Sequence, residues 1–411
     1  MAKTICIIGA FDTKGEEHAF LRERIMSRGH KVFTVNTGVL GSTTLFPVDI
    51  EANKIVQSAG GSLEQLRQKK DRGEAIRVIC DGAAKLIKSL YDAGKFDGII
   101  GMGGSAAATV VTCAMRALPL GFPKVCVSTM ASGDVSPYVG TKDIVMMPSI
   151  VDIAGINRIS RIIISRAAGA ICGMVEMNVP KAAEDKPIIT ATMFGNSTDC
   201  VNACVKALSA KGYEVFVFHA TGVGGRTMES LVSEGLVDAV LDITTTEWAD
   251  QICGGVLSAG PERLDAPGKM GVPHLIVPGC VDMCNFGPRE TVPAKYKERL
   301  FYQWNPSVTL MRTTKEDNKK MGEIFAEKAN VAKGPVAFLI PLRGVSILDG
   351  DGQPFCDREA DNAMFDAIKT KIRKDIPVVE MDKNINDPEF AAKAVEMMLE
   401  LIKQAKNKKG R

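Results

Sequence analysis

Short apolar runs alternate along this chain with longer amphipathic stretches, and this alternation constrains the fold more than any other feature. Segments 16–27 and 105–118 have the periodicity of helices, and the runs typical of buried strands are residues 4–9, 31–36, 98–102 and 124–128. Such alternation predicts parallel strands joined by crossover helices that cover both faces of a sheet, which is an α/β fold.

The same order of segments begins again after residue 180. ICIIGAFDTKG and RGHKVFTVNTG resemble IITATMFGNST and KGYEVFVFHATG, while AGKFDGIIGMGGS and FPKVCVSTMASGD parallel EGLVDAVLDITTTE and VPHLIVPGCVD. One sequence leaves open whether the halves arose by duplication or by convergent α/β patterning.

A chain of 411 residues exceeds the size at which a single core stops growing, so two domains are expected. The sequence predicts two Rossmann-like subdomains with parallel sheets, at 1–180 and 186–405, and a basic tail at 406–411. The seam lies in 177–187, where two prolines frame a charged stretch. Ligands of open α/β sheets bind at the carboxyl ends of the strands, which predicts a ligand cleft between the subdomains.

Composition and charge indicate a cytoplasmic protein. The opening apolar run breaks at Asp12, too soon for a signal peptide or a membrane span. The eleven cysteines are scattered through apolar segments rather than spaced as a disulfide framework, so we interpret them as buried thiols of a reducing cytosol. A net charge of +3 is small for this length, and we expect neither nucleic acid nor a membrane as a partner.

GMGGSAAAT at 101–109 is the most informative local motif. A strand ends at Gly101, Gly103 and Gly104 permit a tight turn, and Ser105 begins a helix, so free backbone N–H groups converge on one spot that suits an anion. The alternative is a βα turn that is tight only for packing. Neither a Walker loop nor a dinucleotide fingerprint is present.

The loop FDTKG at 11–15 follows the first strand. Asp12 and Thr13 are suited to capping the next helix, whereas Lys14 can reach a phosphate as a flexible point charge. Capping alone explains the first two residues and leaves Lys14 unexplained.

Carboxylates are frequent in the long segment 128–157, which also contains Ser132 and Gly133. Carboxylates beside a phosphate-binding loop suit Mg²⁺, and Asp134 and Asp152 are our candidate ligands, although spacing alone selects no pair. The alternative is that both aspartates serve turns and caps.

The loops that follow strands in the second half gather six residues on one sheet edge: Asn196, His219, Gly224, Gly225, Glu247 and Asp282. Of these, Gly224 and Gly225 are candidates for cofactor binding. His219 and Glu247 are the natural acid–base candidates, with Asn196 beside them, because both types of side chain can be tuned towards neutral pH. A lone histidine at a strand end is also a common structural residue, and that alternative stays open.

Several of these motifs together resemble the Tm-one-like ATP-binding family, which includes the amino-terminal domain of the tomato mosaic virus resistance protein and bacterial relatives. The resemblance covers nearly the whole chain and rests on FDTKGEE, GMGGSAAAT, the segment from STMASGD to GINRIS, MFGNST, HATGVGGRTME and GCVDMCNF. Ala106 and Ala107 stand where the family's phosphate loop continues with glycine.

The resemblance implies an ATP-binding, Mg²⁺-dependent protein that forms a homodimer. It adds Thr109 and Met130, which lie within the matching motifs, to the cofactor-binding candidates. Plant members continue into a TIM barrel and this chain stops in KQAKNKKGR, so we expect any barrel partner to be a separate protein.

Two classes of function follow. One is a small-molecule enzyme that uses ATP and an unknown second substrate in the cleft, and the other is a non-catalytic protein in which ATP sets a shape that a protein partner recognises.

Overall fold

Two parallel sheets organise the chain, one in each of its compact units, residues 1–181 and 182–411. The computed structural model describes residues 1–180 and 185–409. Residues 181–184 of the predicted seam and 410–411 of the predicted tail lie outside the described residues.

The first unit has a five-stranded parallel sheet in the order β2-β1-β3-β4-β5. Its strands are β1 (Thr4–Gly9), β2 (Lys31–Asn36), β3 (Gly98–Gly103), β4 (Lys124–Ser128) and β5 (Val145–Pro148). Its helices are α1 (Gly15–Met26), α2 (Ala52–Ser58), α3 (Leu63–Lys69), α4 (Arg72–Asp92), α5 (Ser105–Arg116), α6 (Ser136–Val139) and α7 (Arg158–Glu176).

Alternate residues of these strands face two separate cores. Cys6 and Ile8 of β1 pack in the core that α2, α4 and α5 cover, whereas Ile5 and Ile7 pack on the opposite face with α1 and α7. A Cβ at Gly101 of β3 would lie 2.5 Å from the carbonyl oxygen of Ile8, so glycine is needed for this close packing.

The second unit has a six-stranded parallel sheet in the order β14-β13-β9-β8-β6-β7 and a smaller antiparallel sheet, β10-β12-β11. The strands are β6 (Ile188–Met193), β7 (Glu214–His219), β8 (Ala239–Thr244), β9 (His274–Gly279), β10 (Met283–Phe286), β11 (Phe301–Asn305), β12 (Val308–Arg312), β13 (Val336–Pro341) and β14 (Val378–Met381). The helices are α8 (Thr198–Ser209), α9 (Val223–Ser233), α10 (Glu247–Cys253), α11 (Ala266–Met270), α12 (Lys315–Asn330), α13 (Arg358–Lys371) and α14 (Pro388–Lys409).

The two parallel sheets share one strand order. β1 lies between β2 and β3, and β6 lies between β7 and β8. In each unit the chain therefore moves to one side of its first strand and then returns to the other, which leaves a topological switch point beside that strand.

The sequence-based prediction of an α/β fold with two Rossmann-like units is confirmed, and the four strands predicted in the first half match β1 to β4 within one residue. Within residues 1–180 and 185–409, no helix is long and apolar enough to cross a membrane.

Candidate functional site

A cavity of about 690 Å³ opens at the carboxyl ends of β1, β2 and β3, beside the switch point of the first sheet. Its size is typical of small-molecule sites. The walls come from the first unit alone, in segments 10–14, 37–40, 66–79 and 103–110.

The N-terminus of α5 forms one wall of this cavity. Gly104 is the N-cap of α5, and no side chain caps that end. The first backbone N–H groups of a helix have no partner within the helix, so this end attracts anions.

Glycine occurs at positions 103 and 104 of the turn for different physical reasons. A Cβ at Gly103 would lie 2.2 Å from the Cβ of Ala107, so packing alone requires glycine there. A Cβ at Gly104 would meet nothing nearer than Thr129 Oγ1 at 3.8 Å, and its φ of −75° suits any residue. Packing therefore does not explain Gly104, and the space beside it is open to a ligand.

Lys14 lies at the start of α1 and lines the cavity together with Thr13. Its carbonyl oxygen accepts a hydrogen bond from Nδ1 of His18 at 2.7 Å. Among the described residues, no ion pair or side-chain hydrogen bond holds the ammonium group of Lys14, which leaves that group available to a ligand.

Asp12 joins the loop after β1 to the loop after β2. Its Oδ2 accepts a hydrogen bond from the backbone N–H of Leu40 at 2.9 Å, and a Cβ at Gly38 would lie 2.3 Å from the Asp12 carboxyl carbon. The other oxygen, Oδ1, is shielded from solvent and has no hydrogen-bonding partner in the part of the chain that the structure describes.

Asn36, at the end of β2, supports both loops and was not selected in the sequence analysis. Its buried amide oxygen accepts hydrogen bonds from the N–H groups of Phe11 and Gly38, at 3.1 and 2.8 Å. Its amide nitrogen donates to the Gly41 carbonyl and to Glu51. These four hydrogen bonds use the full capacity of the amide, so Asn36 is a positioning residue.

A basic rim, formed by Arg67, Lys70 and Arg72, lies where α3 meets α4 and was not predicted from the sequence. Lys70 has a left-handed backbone with φ of 52°, and Arg67 donates to the carbonyl of Val39 at 2.5 Å. The run KKDR at 69–72 was the available signal, but only the packing of α2 to α4 brings it to the sheet.

Charge and apolar surface are both present in the cavity. The lining contains four cations, Lys14 and the three rim residues, against the carboxylates of Asp12 and Asp71. Leu66, Ile76, Ile79 and Val110 form an apolar wall. This combination suits an organic anion with an apolar part.

The metal candidates of the sequence analysis lie elsewhere. Asp134 is exposed, and hydrogen bonds from Ser136 lower its pKa, while Asp152 is exposed and accepts from the N–H of Ile153 at 2.8 Å. Both therefore serve local turns. Within the described residues, no group of three or more His, Cys, Asp or Glu side chains is arranged to hold a metal ion by protein ligands alone.

The remaining first-unit candidates do not line the cavity. Met130, Ser132 and Gly133 belong to the short 3₁₀ turn after β4 and its C-cap. Thr109 donates from its hydroxyl to the Ser105 carbonyl at 2.9 Å within α5.

In the second unit, the Glu247 carboxylate is buried and fully engaged. It accepts hydrogen bonds from the N–H groups of Gly222 and Gly225, at 2.7 and 3.0 Å, and from Nε of Arg263 at 2.7 Å. A Cβ at Gly225 would lie 2.1 Å from Oε2 of Glu247, and one at Gly224 would lie 1.9 Å from the His219 carbonyl. Glycine is therefore needed at both positions because other atoms of the protein pack closely against them, and no ligand is required to explain it.

Arg263 is the centre of this buried network. Besides Glu247 it contacts Asp242, whose Oδ2 lies 2.7 Å from Nη1, and Glu229 at 3.3 Å. Burial alone would raise the pKa of Asp242, but the Arg263 guanidinium holds it well below its usual range. Such a paired, buried cluster is typical of a structural role.

His219 and Asn196 have contrasting environments. His219 is exposed at the end of β7 and stacks on Phe194, with ring centroids 5.5 Å apart. Asn196 is buried, and its Oδ1 has no hydrogen-bonding partner among the described residues. No hydrogen bond between His219 and Glu247 occurs in that part of the chain, so the structure does not join them as an acid–base pair.

Near Asn196, Asp282 is also completely buried. Its Oδ2 accepts a hydrogen bond from Ser346 at 2.8 Å, Oδ1 has no partner in the described residues, and burial raises its pKa to about 6.

The fold and the cavity together define a class: an α/β protein of two Rossmann-like units whose first unit has a cavity lined by basic side chains and a helix N-terminus. The chain belongs to the uncharacterised protein family UPF0261, matching its N-terminal domain over residues 3–180 and its C-terminal domain over 186–402.

Related proteins match along nearly the whole chain. A UPF0261 protein of Clostridium tetani is 47% identical over 98% of this chain and 100% of its own length. The tomato (Solanum lycopersicum) ToMV resistance protein Tm-1(GCR237) is 37% identical over 97% of this chain, which spans 56% of the tomato protein.

Solved structures show weaker similarity. UDP-N-acetylglucosamine 2-epimerase from Rickettsia bellii has a TM-score of 0.23 at 10% identity, covering 98% of this chain and 97% of that one. E. coli ADP-heptose LPS heptosyltransferase II has a TM-score of 0.23 at 12% identity, covering 98% and 99%. Similarity at this level identifies neither an activity nor a ligand.

Proposed function

We propose that the first unit binds ATP with Mg²⁺ in the cavity at the carboxyl ends of β1 to β3. The observation that carries this proposal is the open space at Gly104, the N-cap of α5. No packing contact requires glycine at this position, and no side chain caps the helix there. Backbone N–H groups at such an end bind phosphate.

The charges around Gly104 support a polyphosphate rather than a single carboxylate. Lys14 and the basic rim of Arg67, Lys70 and Arg72 can meet several negative charges, and the apolar wall can cover a base. ATP combines these features, because it has an aromatic base at one end and a chain of phosphates at the other.

Asp12 is the residue that fits a nucleotide-bound metal ion best. Mg²⁺ on a nucleotide is held by one or two carboxylates together with phosphate oxygens and water, so a three-ligand protein cluster is not required. Asp12 lines the cavity, and its solvent-shielded Oδ1 has no partner among the described residues, whereas Asp134 and Asp152 do not line the cavity. Bound Mg-ATP would supply a transferable phosphoryl group, or a charge and shape that a partner recognises.

Calorimetry on the full chain tests the proposal. We expect Mg-ATP to bind, and Gly104→Asp to weaken binding at least tenfold, because the new carboxylate occupies the phosphate position and repels it. Gly173→Asp in α7 is the matched control, since a Cβ there meets nothing within 4 Å and lies outside the cavity. A folded Gly104→Asp variant with unchanged affinity would overturn the assignment.

Two roles for the bound nucleotide stay separate proposals. An enzyme that consumes ATP with a small second substrate would use His219 and Asn196, since Glu247 is committed to Arg263 and to backbone N–H groups. The buried Oδ1 of Asn196, which has no hydrogen-bonding partner within 1–180 and 185–409, favours a polar ligand nearby. If His219→Asn leaves an ATP-dependent reaction of the protein intact, His219 has a structural role. If the unaltered protein forms no product from Mg-ATP, the non-catalytic role is the better account.

We infer further that the protein is a cytoplasmic homodimer. All eleven cysteines are free thiols, as in proteins of a reducing compartment, and the dimer follows from the family resemblance. Light scattering that gives a mass of 44.1 kDa at every concentration would contradict the dimer. A separate TIM-barrel protein is a proposed partner, which co-purification would test.

A further inference from the structure

Two cysteines face each other across helices that flank the cavity. Cys80 lies in α4 and Cys113 in α5, two helices that pack against each other, and each thiol perturbs the pKa of the other. Eight of the eleven cysteines are buried, but Cys80, Cys113 and Cys356 are partly exposed. Cys80 and Cys113 therefore differ from the sequence-based interpretation, which took all the cysteines as buried thiols.

A fixed cation lies beside one of the two thiols. Nη2 of Arg116, one turn further along α5, donates to Sγ of Cys113 at 3.0 Å. The carbonyl groups of Pro137 and Tyr138 accept hydrogen bonds from Nη1 of Arg116 and hold the guanidinium in place. A cation positioned in this way stabilises a thiolate on Cys113.

The environment separates the two cysteines chemically. The hydrogen bond with Cys80 and the positive charge of Arg116 lower the pKa of Cys113 to about 6, although burial opposes the change. The hydrogen bond with Cys113, together with burial, raises the pKa of Cys80. Cys113 therefore has the properties of an attacking thiolate, and Cys80 those of a resolving thiol.

We propose that Cys80 and Cys113 form a peroxide-sensitive dithiol that closes reversibly to a disulfide between α4 and α5. The Cys113 thiolate attacks one oxygen of hydrogen peroxide, the O–O bond breaks, and a sulfenic acid and hydroxide result. The Cys80 sulfur then attacks the sulfenic sulfur, the S–S bond forms, and the S–O bond breaks. The leaving hydroxide combines with the Cys80 proton as water, and an external dithiol reverses the reaction by exchange.

The disulfide would join two helices that line the cavity. Ile79, next to Cys80, and Val110, one turn before Cys113, both contribute to its apolar wall. The redox chemistry itself does not depend on which molecule the cavity binds.

Peptide mass spectrometry on the full, reduced chain tests this proposal. After brief treatment with stoichiometric hydrogen peroxide and blocking with N-ethylmaleimide, we expect an intramolecular Cys80–Cys113 link that dithiothreitol removes. Cys80→Ser should stop at a Cys113 sulfenic acid that dimedone traps, and Cys113→Ser should give neither product. Cys356→Ser, at the other partly exposed cysteine, should behave as the unaltered protein.

Alkylation rates test the role of Arg116 separately. At pH 7 we expect iodoacetamide to modify Cys113 about tenfold faster than Cys356, because most of a thiol with a lowered pKa is ionised at that pH. Arg116→Gln should remove the advantage, and Arg116→Lys should retain part of it. Equal rates at Cys113 and Cys356, or no Cys80–Cys113 link in protein with an unchanged circular dichroism spectrum, would overturn the proposal.

Discussion

Glu247 accepts a hydrogen bond from the backbone N–H of Gly225 at 3.0 Å, so a carboxylate of the protein itself fills the N-terminus of α9. In the first unit, the N-terminus of α5 at Gly104 has open space instead. The two units share one strand order, but the N-terminus of α9 is occupied by a carboxylate of the protein and that of α5 is not. In the second unit, Glu247 accepts hydrogen bonds from the N–H groups of Gly222 and Gly225 and from Arg263, so the protein itself satisfies this helix end.

This difference predicts that Glu247 supports stability rather than nucleotide binding. Glu247→Gln should lower the free energy of unfolding of the second unit by about 3–5 kcal/mol, because it leaves Arg263 buried with one charge partner fewer. The affinity for Mg-ATP should not change. Urea unfolding and calorimetry check the two effects, with the exposed Glu290→Gln as a control. Unchanged stability with lost binding would contradict this interpretation.

Lys14, in contrast to Glu247, should contribute to nucleotide binding and not to stability. Lys14→Gln removes a cation that has no ion-pair partner among the described residues, so stability should change by less than about 0.5 kcal/mol. Affinity for Mg-ATP should fall about tenfold through the loss of a charge-assisted hydrogen bond. Lys54→Gln on the exposed face of α2 is the matched control, and titration calorimetry is the measurement. Equal affinities for the two variants would exclude Lys14 from the site.

Much of the fold follows from the sequence because the decisive signals are local. The apolar runs at 4–9 and 98–102 identify strands without knowledge of their neighbours, and GMGGS marks the end of β3 for the same reason. The repeated pattern of segments predicts two similar units, and the two parallel sheets do share one strand order, which the sequence alone did not specify.

The roles of residues that depend on tertiary contacts could not be predicted from the sequence. Arg263 and Glu247 are sixteen residues apart, and nothing in their spacing indicates that they meet in a buried pair. Asn36 resembles an ordinary strand-end residue until its four hydrogen bonds are seen. The glycines at 224 and 225 have the composition of a ligand loop, yet they admit the protein's own atoms.

His18 predicts a dependence of stability on pH. Burial lowers the pKa of His18 to about 4, so the folded protein keeps the ring neutral where the unfolded chain, with a pKa near 6.5, binds a proton. Its contribution to stability is complete above pH 6.5 and is lost as the pH falls towards 4, by about 3 kcal/mol in all. Urea unfolding between pH 4 and 7 measures this, and His18→Gln should flatten that part of the profile. A ring that titrates near pH 6.5 by NMR would contradict the prediction.

Asp12 decides where a nucleotide-bound metal ion lies. In the unaltered protein we expect Mg²⁺ to raise ATP affinity relative to ATP in EDTA. Asp12→Asn should abolish most of that difference, because the amide can still accept from the Leu40 N–H but no longer offers a charged oxygen to the metal. Asp134→Asn and Asp152→Asn, both at exposed turns outside the cavity, are the matched controls. Calorimetry with and without Mg²⁺ gives the comparison. If either control removes the Mg²⁺ effect while Asp12→Asn retains it, the metal is held by the segment 128–157, as predicted from the sequence, and the assignment to Asp12 is wrong.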